Sequence, residues 1–471
     1  MSSATYDFGM VGLGVMGRNF ALNVADNDFA VIGLDRNAEQ VKALEEEGGG
    51  KKVKGTTSTE DFVQSLSKPR KVMLLVPAGG IVDQVMGELM RHLEPGDLII
   101  DGGNSFYQDT DRRFDIASHQ QIHFMGIGVS GGAEGARRGP SMMPGGPKEA
   151  YALVKPILEA VAAKVNGDPC VAWLGIRSAG NYVKMVHNGI EYAMMQQLAE
   201  CYDLMKRGLG MDNTSIQATF DTWNKGRLQS FLVEITAAIF NQKDEHSSAD
   251  LIDVILDKAK QKGTGKWTSQ NAMDLGMPIP AIDMAVTMRG ISSFKEERTK
   301  AATILSGPGE VTMQVSQDGF LQQLEEALYF AFVVTYAQGM SLLQAASAEY
   351  DYGLDLETVA RIWRGGCIIR AALLEEIMQA CREEGQEASL MLSKRFATPL
   401  ASAQNGARES ICYGIMKGIP MGSFCACLSY YDAFRSERLP TNLIQAQRDF
   451  FGSHTYERTD KDGTFHTAWE K

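Results

Sequence analysis

Short apolar runs at Asp7–Gly12, Ala30–Asp35, Lys71–Val76, Leu98–Asp101 and Ile122–Gly128 alternate with helix-patterned stretches such as Asn37–Glu47 and Ile81–His92. Apolar runs this short, bounded by turn residues, read as buried strands. Strands alternating with amphipathic helices imply right-handed crossovers and a parallel sheet covered on both faces. A shorter run, Cys170–Trp173, is expected to close that unit. Past about Ser178 the texture changes. Gly180 to Lys206 reads as one long helix, and Phe320–Ala345, Leu356–Arg364 and Ile369–Glu384 are helix-patterned too, with no strand series among them. Pro440 breaks this pattern. The segment beyond it is polar and aromatic, with Gly452 and Gly463 and few aliphatics. Such a segment cannot build an apolar core of its own, so it is either disordered or docked on another surface. The expected architecture is α/β followed by all-α: a doubly wound parallel sheet over 1–178, a large all-helical region over 179–438, and a C-terminal tail over 439–471.

With 471 residues, the chain is long for a single domain. Its 44% apolar and 22% charged residues are ordinary for a globular protein. The net charge of −12 argues against a nucleic-acid binder, which needs a basic face, but leaves room for a local basic pocket that takes a small anion. The seven cysteines, at 170, 201, 367, 381, 412, 425 and 427, form no C-x-x-C, and reduced thiols are expected. Cys425-Ala426-Cys427 lacks partners at metal-site spacing and no H-E-x-x-H occurs, so no metal is expected. Met1 to Tyr6 lacks the pattern of a secretory leader, and no apolar run approaches the ~20 residues of a membrane span. A cytoplasmic protein, with neither membrane nor nucleic-acid partner, is the expectation.

Gly12-Leu13-Gly14-Val15-Met16-Gly17 follows the first strand and opens a helix. In that setting the glycines suit a dinucleotide: the first makes the tight turn, the second admits the pyrophosphate, and the third lets helix pack on strand. The helix N-terminus then offers free N–H groups to the anion. The sheet is therefore expected to be Rossmann-like. Asp35 ends the second strand near the offset at which an acidic group binds the ribose hydroxyls of NAD, while Arg36 beside it suits the 2′-phosphate of NADP. The pair leaves both cofactors open. Val76-Pro77-Ala78, ending another strand, is expected on the nicotinamide-ribose side.

Asn181 to Tyr192 holds Lys184, His187, Asn188 and Glu191 at i, i+3, i+4 and i+7, one face of a helix. Such a stripe is either solvated or lines a cleft; Met185, Val186 and Ile190 around it favour the cleft. A lysine and a glutamate on that face supply the base and acid that oxidation coupled to proton transfer requires.

Several separated motifs, taken in order, resemble the 6-phosphogluconate dehydrogenases of the long, two-domain type, from near Tyr6 to the C-terminus. They are Gly12–Gly17, Asp101-Gly102-Gly103-Asn104-Ser105, Gly128-Val129-Ser130-Gly131-Gly132, Lys184–Tyr192, Gln261-Lys262-Gly263-Thr264-Gly265-Lys266-Trp267, and Gln447-Arg448-Asp449-Phe450-Phe451-Gly452-Ser453-His454. The broader β-hydroxyacid dehydrogenases share the first three and the lysine, but neither the Lys262 motif nor the tail. The resemblance implies oxidation of 6-phosphogluconate at C3, loss of CO2, and tautomerisation to ribulose 5-phosphate. It implies that Lys184 takes the C3 hydroxyl proton and that Glu191 protonates C1. Ser130, Gly131 and Gly132 resemble a carboxylate cradle. Asn104, His187 and Asn188 resemble hydroxyl or carboxylate contacts, and Tyr192, Lys262, Thr264 and Arg289 a phosphate clamp. Arg448 and His454 on the tail would complete the partner subunit's site, which implies a homodimer with shared active sites.

Two positions depart from the family. Asp35-Arg36-Asn37 stands where Asn-Arg-Thr is usual, and Pro77 where a lysine is usual. Both remove features that favour NADP, so NADP and NAD remain even. Two other readings use the same motifs in part. A sister dehydrogenase on a smaller 3-hydroxy acid accounts for the glycine loop and Lys184 but not for Lys262, Arg289 and the tail. A non-catalytic dinucleotide sensor leaves both Lys184 and Glu191 without a purpose.

Overall fold

The structure is a computed structural model that describes residues 5–309, 316–385 and 389–469. The Met1–Ala4 part of the leader reading, and residues 310–315, 386–388 and 470–471 of the expected regions, lie outside the described residues.

Seven strands form one sheet: β1 (Phe8–Val11), β2 (Val31–Leu34), β3 (Val53–Thr56), β4 (Lys71–Leu74), β5 (Leu98–Asp101), β6 (His123–Ser130) and β7 (Ser141–Gly145). Their order is β3-β2-β1-β4-β5-β6-β7, parallel except for β7, which runs antiparallel to β6. Successive side chains alternate between two cores, as a two-residue period demands. Met10, Val31, Met73, Ile100 and Met125 point to one face, and Val11, Ile32, Val72, Ile99 and Phe124 to the other. The order reverses between β1 and β4, which opens a crevice at the carboxyl ends of those strands, where such sheets bind ligands.

The remainder is helical apart from small hairpins. A 25-residue central helix, Ala179–Asp203, is followed directly by a single π-helical turn, Leu204–Gly208, so the expected Gly180–Lys206 helix changes character near its end. The 33-residue helix Gln317–Glu349 is buried nearly all round over Leu324–Leu343. It packs between the central helix and Lys394–Met416, as a helix apolar on every side must. The expected Ile369–Glu384 helix starts later, at Leu373.

Four sequence expectations need correction. Strand β3 was not expected: its Val-Lys-Gly-Thr lies at the sheet edge, only partly buried, and has no apolar run. Strand β7, Ser-Met-Met-Pro-Gly, was not expected either, because Pro144 and Gly145 cut its apolar run to two methionines. Cys170–Trp173 is not a strand but makes one bridge, Val171 to Met142, alongside β7. The tail, expected to be disordered or docked on another surface, holds regular elements of its own. Helix Thr441–Gly452 starts after Pro440, and Tyr456–Glu457 pairs with Thr464–Phe465. A carboxylate organises this tail in place of an apolar core. Asp449, fully buried, accepts from the N–H groups of Thr455 and Thr467 and the Trp469 indole, and lies 2.8 Å from His466 Nδ1. Leu443, Ile444, Phe450 and Phe451 are left at least half exposed on its surface.

Candidate active site

The glycine loop leaves β1 and enters helix Val15–Asp26. Gly12 has φ +89°, and a Cβ there would lie 2.6 Å from Leu75 O; a Cβ on Gly17 would lie 1.8 Å from Gly12 O. Only glycine fits either position. Gly14, by contrast, faces open space and caps the helix with no side-chain hydrogen bond, so the first-turn N–H groups are available to an anion. Val15 and Met16 form that first turn, with Val15 60% exposed. A cleft of about 420 Å³ runs from this loop over Asp35, Arg36, Val76 and Pro77 to Glu88, with Ala78 exposed just beyond. Loop, helix end and cleft together suit a dinucleotide.

At the end of β2, Asp35 is held by backbone. Leu13 N–H donates to Oδ2 at 2.7 Å and Asn37 N–H to Oδ1 at 2.9 Å. Asn37 in turn caps helix Ala38–Gly48 through the Glu39 N–H. Arg36 pairs with Glu88 at 2.8 Å.

The central helix lies directly on β6, because glycines there leave room. A Cβ on Gly128 would fall 2.3 Å from Lys184 Cβ. The predicted face is buried, not solvated: Lys184 is 6% exposed, His187 0% and Asn188 9%. Ser130 Oγ lies 3.3 Å from His187 Nε2, and His187 Nδ1 lies 3.1 Å from Asn188 Oδ1 and 3.8 Å from Glu191 Oε2. The Asn188 amide donates to Thr264 Oγ1 at 3.1 Å. Burial lowers the pKa of Lys184, opposed by the charge of Glu191. Burial also raises Glu191, opposed by Lys184 and Arg289. His187 is pushed well down by burial and by Lys184, which favours the neutral imidazole. Desolvation thus moves the amine toward a usable base and the carboxyl toward a usable acid.

Tyr192, one residue past Glu191, carries the Arg289 guanidinium 3.4 Å from its ring centroid, and Arg289 Nη1 donates to Lys260 O at 3.2 Å. Thr264 begins helix Thr264–Asp274, whose cap Gly263 (φ +105°) supplies no side-chain bond, so free N–H groups lie next to this arginine's anchor strand of chain. Lys262 is exposed just before it. Gly131 and Gly132 likewise open a short helix without a side-chain cap. Asn104 is exposed at the carboxyl end of β5. Its loop is fixed because the buried Arg113 guanidinium binds Asp101, Asp83 and Gly79 O, and Ser105 Oγ donates to Asp101 at 2.6 Å. Arg448 and His454 are not brought to this cluster. Among the described residues, Arg448 bonds Gln445 and His454 stacks edge-on with Phe451, both on the tail.

Four participants were not expected from sequence. Asn181 accepts from Thr110 on the sheet side, Trp363 sets its ring edge-on to His187, Arg113 locks the Asn104 loop, and Glu88 holds Arg36. Asn181 lay within the singled-out helix motif; the others have no local pattern, because distant parts of the chain bring them in.

Fold and site define a dinucleotide-dependent oxidoreductase with a buried lysine and histidine and a partly buried glutamate on the helix that follows the nucleotide-binding sheet. Residues 7–175 match the family described as "NAD binding domain of 6-phosphogluconate dehydrogenase", and residues 180–469 match "6-phosphogluconate dehydrogenase, C-terminal domain". The chain is 50% identical to the NADP(+)-dependent, decarboxylating 6-phosphogluconate dehydrogenase of Bacillus subtilis, covering 98% of this chain and 99% of that one. It is 48% identical to the decarboxylating enzyme of Escherichia coli, covering 98% of each. The solved 6-phosphogluconate dehydrogenase of Plasmodium falciparum superposes with a TM-score of 0.95 at 42% identity, covering 98% of this chain and 100% of that one. The chain belongs to the 6-phosphogluconate dehydrogenase family, as an NADP- or NAD-dependent oxidoreductase.

Proposed function

We propose that the protein oxidises 6-phosphogluconate at C3 and decarboxylates it to ribulose 5-phosphate and CO2, using Lys184 as base and Glu191 as acid. The observation that carries this reading is the burial of Lys184, 6% exposed, beside His187 and Glu191 on the helix that faces the nucleotide-binding sheet. The bound nicotinamide supplies the hydride acceptor. Lys184, whose charged form burial disfavours, takes the C3 hydroxyl proton as hydride leaves C3. The product is a β-keto acid, in which the C3 carbonyl accepts the electron pair released with CO2. Lys184, now an ammonium, hydrogen-bonds that oxygen and stabilises the charge developing there. Glu191, whose protonated form burial favours, delivers a proton to C1 of the enediol.

The same reading gives the remaining groups their parts. Ser130, Gly131 and Gly132 hold the carboxylate, Asn104, His187 and Asn188 the hydroxyls, and Tyr192, Lys262, Thr264 and Arg289 the phosphate, where an arginine fork binds two oxygens at once. Gly12 to Gly17, Asp35, Arg36, Asn37 and Val76–Ala78 hold NADP or NAD. Residues 1–178, 179–438 and 439–471 act as nucleotide domain, substrate and dimerisation domain, and tail. The tail's exposed Leu443, Ile444, Phe450 and Phe451 support its docking on a second copy, with Arg448 and His454 entering the partner's site. A cytoplasmic location accords with seven unpaired cysteines. The test is the initial rate with 6-phosphogluconate, run with NADP and with NAD, while CO2 is recorded. CO2 release coupled to cofactor reduction is expected. Silence with both cofactors overturns the assignment and restores a smaller 3-hydroxy acid as substrate.

A further inference from the structure

The nucleotide cleft carries an ion pair that the reaction does not use. Arg36 Nη2 and Glu88 Oε1 are 2.8 Å apart, both line the cleft, and both are substantially exposed, at 74% and 44% of their side chains. Glu88 lies in the last turn of helix Gly80–Leu89, where the carbonyl end of the helix adds to its negative field. Asp35, the other carboxylate in the cleft, cannot swing aside without giving up two backbone N–H donors, at 2.7 and 2.9 Å. The charged groups lining the cleft are therefore one cation, Arg36, against two carboxylates, Asp35 and Glu88. A ribose with free hydroxyls meets no penalty in such a place. A 2′-phosphate must take Arg36 away from Glu88 and then lie near both carboxylates.

We propose that Glu88 is a specificity-determining residue that opposes the 2′-phosphate of NADP by occupying Arg36, and so shifts the enzyme toward NAD. This rests on the dinucleotide reading of the cleft. Among the described residues that line the cleft, Arg36 is the one guanidinium, and whichever anion holds it sets the preference. Because an exposed ion pair in water is weak, the effect is modest, about two- to fivefold in affinity.

The test reads binding separately from turnover. Adenosine 2′,5′-bisphosphate and AMP are titrated calorimetrically into the full-length protein and its Glu88→Gln, Arg36→Gln and double variants. Glu88→Gln is expected to tighten adenosine 2′,5′-bisphosphate by about two- to fivefold and to leave AMP unchanged within about 1.5-fold. In the Arg36→Gln background most of that gain should vanish. The ratio of kcat/KM for NADP to that for NAD should rise in Glu88→Gln in step with binding. Unchanged bisphosphate affinity, an equal gain for AMP, or a gain undiminished without Arg36 would each overturn the proposal. If wild-type protein turns over 6-phosphogluconate with neither cofactor while the bisphosphate result holds, the substrate assignment fails and the part played by Glu88 stands.

Discussion

Gly128→Ala should cripple the enzyme without unfolding it, through one added methyl group. The new Cβ would fall 2.3 Å from Lys184 Cβ and 2.9 Å from its Cγ. Carbon atoms pack at about 3.5–4 Å, so strand and helix must part by about 1 Å, or the lysine must turn away. Strand β6 is poorly placed to yield, because Gly128 pairs with Met143 of β7 and the same strand pairs with β5 further back. The adjustment therefore falls on the central helix and on Lys184. A misplacement of that size costs about 100-fold in rate, and overpacking costs about 1–3 kcal/mol of stability. Gly406→Ala is the matched control. Its Cβ would lie 2.6 Å from Gln323 O and 2.8 Å from Glu326 Cβ, an equally tight helix crossing away from the site. The assay is kcat at saturating 6-phosphogluconate and cofactor, with thermal melts of both variants. Gly128→Ala should lose about 100-fold in kcat, while Gly406→Ala loses comparable stability and keeps kcat within about threefold. If Gly128→Ala keeps wild-type kcat, or Gly406→Ala falls as far, the close packing of β6 on Lys184 is not what sets the base.

Lys184→Ala should abolish turnover while cofactor binding, read by calorimetry, survives; activity within about tenfold of wild type would remove the lysine as base. Arg289→Ala, which strips the guanidinium from the Tyr192 ring, should raise KM for 6-phosphogluconate by about 10- to 100-fold with a smaller change in kcat, and an unchanged KM would take it out of the phosphate clamp. Ending the chain after Pro440 should destroy activity, and full activity in that truncation would sink the tail's assignment. Glu200 gives a test of pH dependence. It is 2% exposed and accepts from the N–H groups of Ser423 and Phe424, and burial raises its pKa from 4.5 to about 7. Its folded pKa exceeds its unfolded one, so its stabilising share is full below pH 4.5 and is lost as pH rises through about 7, a span worth about 3 kcal/mol. Glu200→Gln, which keeps an uncharged acceptor for the same N–H groups, should flatten the fall in urea stability between pH 5 and pH 8 and so gain on the wild type as pH rises; parallel slopes in the two proteins would refute the shift.

Much of this site was legible because its residues are close in sequence and periodic. Lys184, His187, Asn188 and Glu191 needed only a helix to share a face, and the glycine loop needed only a strand before it and a helix after. Burial excludes the solvated stripe, as the apolar neighbours on the other sides of the helix hinted. Elements that depend on pairing were harder to read. Strands β3 and β7 are strands because the sheet edge receives them, Pro144 included, not because their own residues favour extension. In the tail, the scarcity of aliphatics was read as the lack of an apolar core, and none of the hydrophobic clusters among the described residues includes a tail residue. A buried carboxylate able to gather four donors, Asp449, leaves no periodic trace, so the tail helix and hairpin went unseen. Arg113 and Trp363 reach the site across long stretches of chain, and no local spacing announces them.

The central helix acts as a ruler. Its first turns are clamped to the sheet where Gly128 meets Lys184, and its middle is clamped to helix Gln317–Glu349, where a Cβ on Gly339 would come within 2.5 Å of Ile190 Cδ1. Lys184 is thereby indexed to the part of the molecule that carries the nucleotide loop, and Glu191 to the part that carries Arg289 and Thr264. Seven residues of helix, about 10 Å along the axis, separate them. Rocking of one part against the other must bend or unseat this rod before it can change that interval. The spacing between the Lys184 and Glu191 side chains is thus written in helical pitch, whatever the rest of the chain does between them.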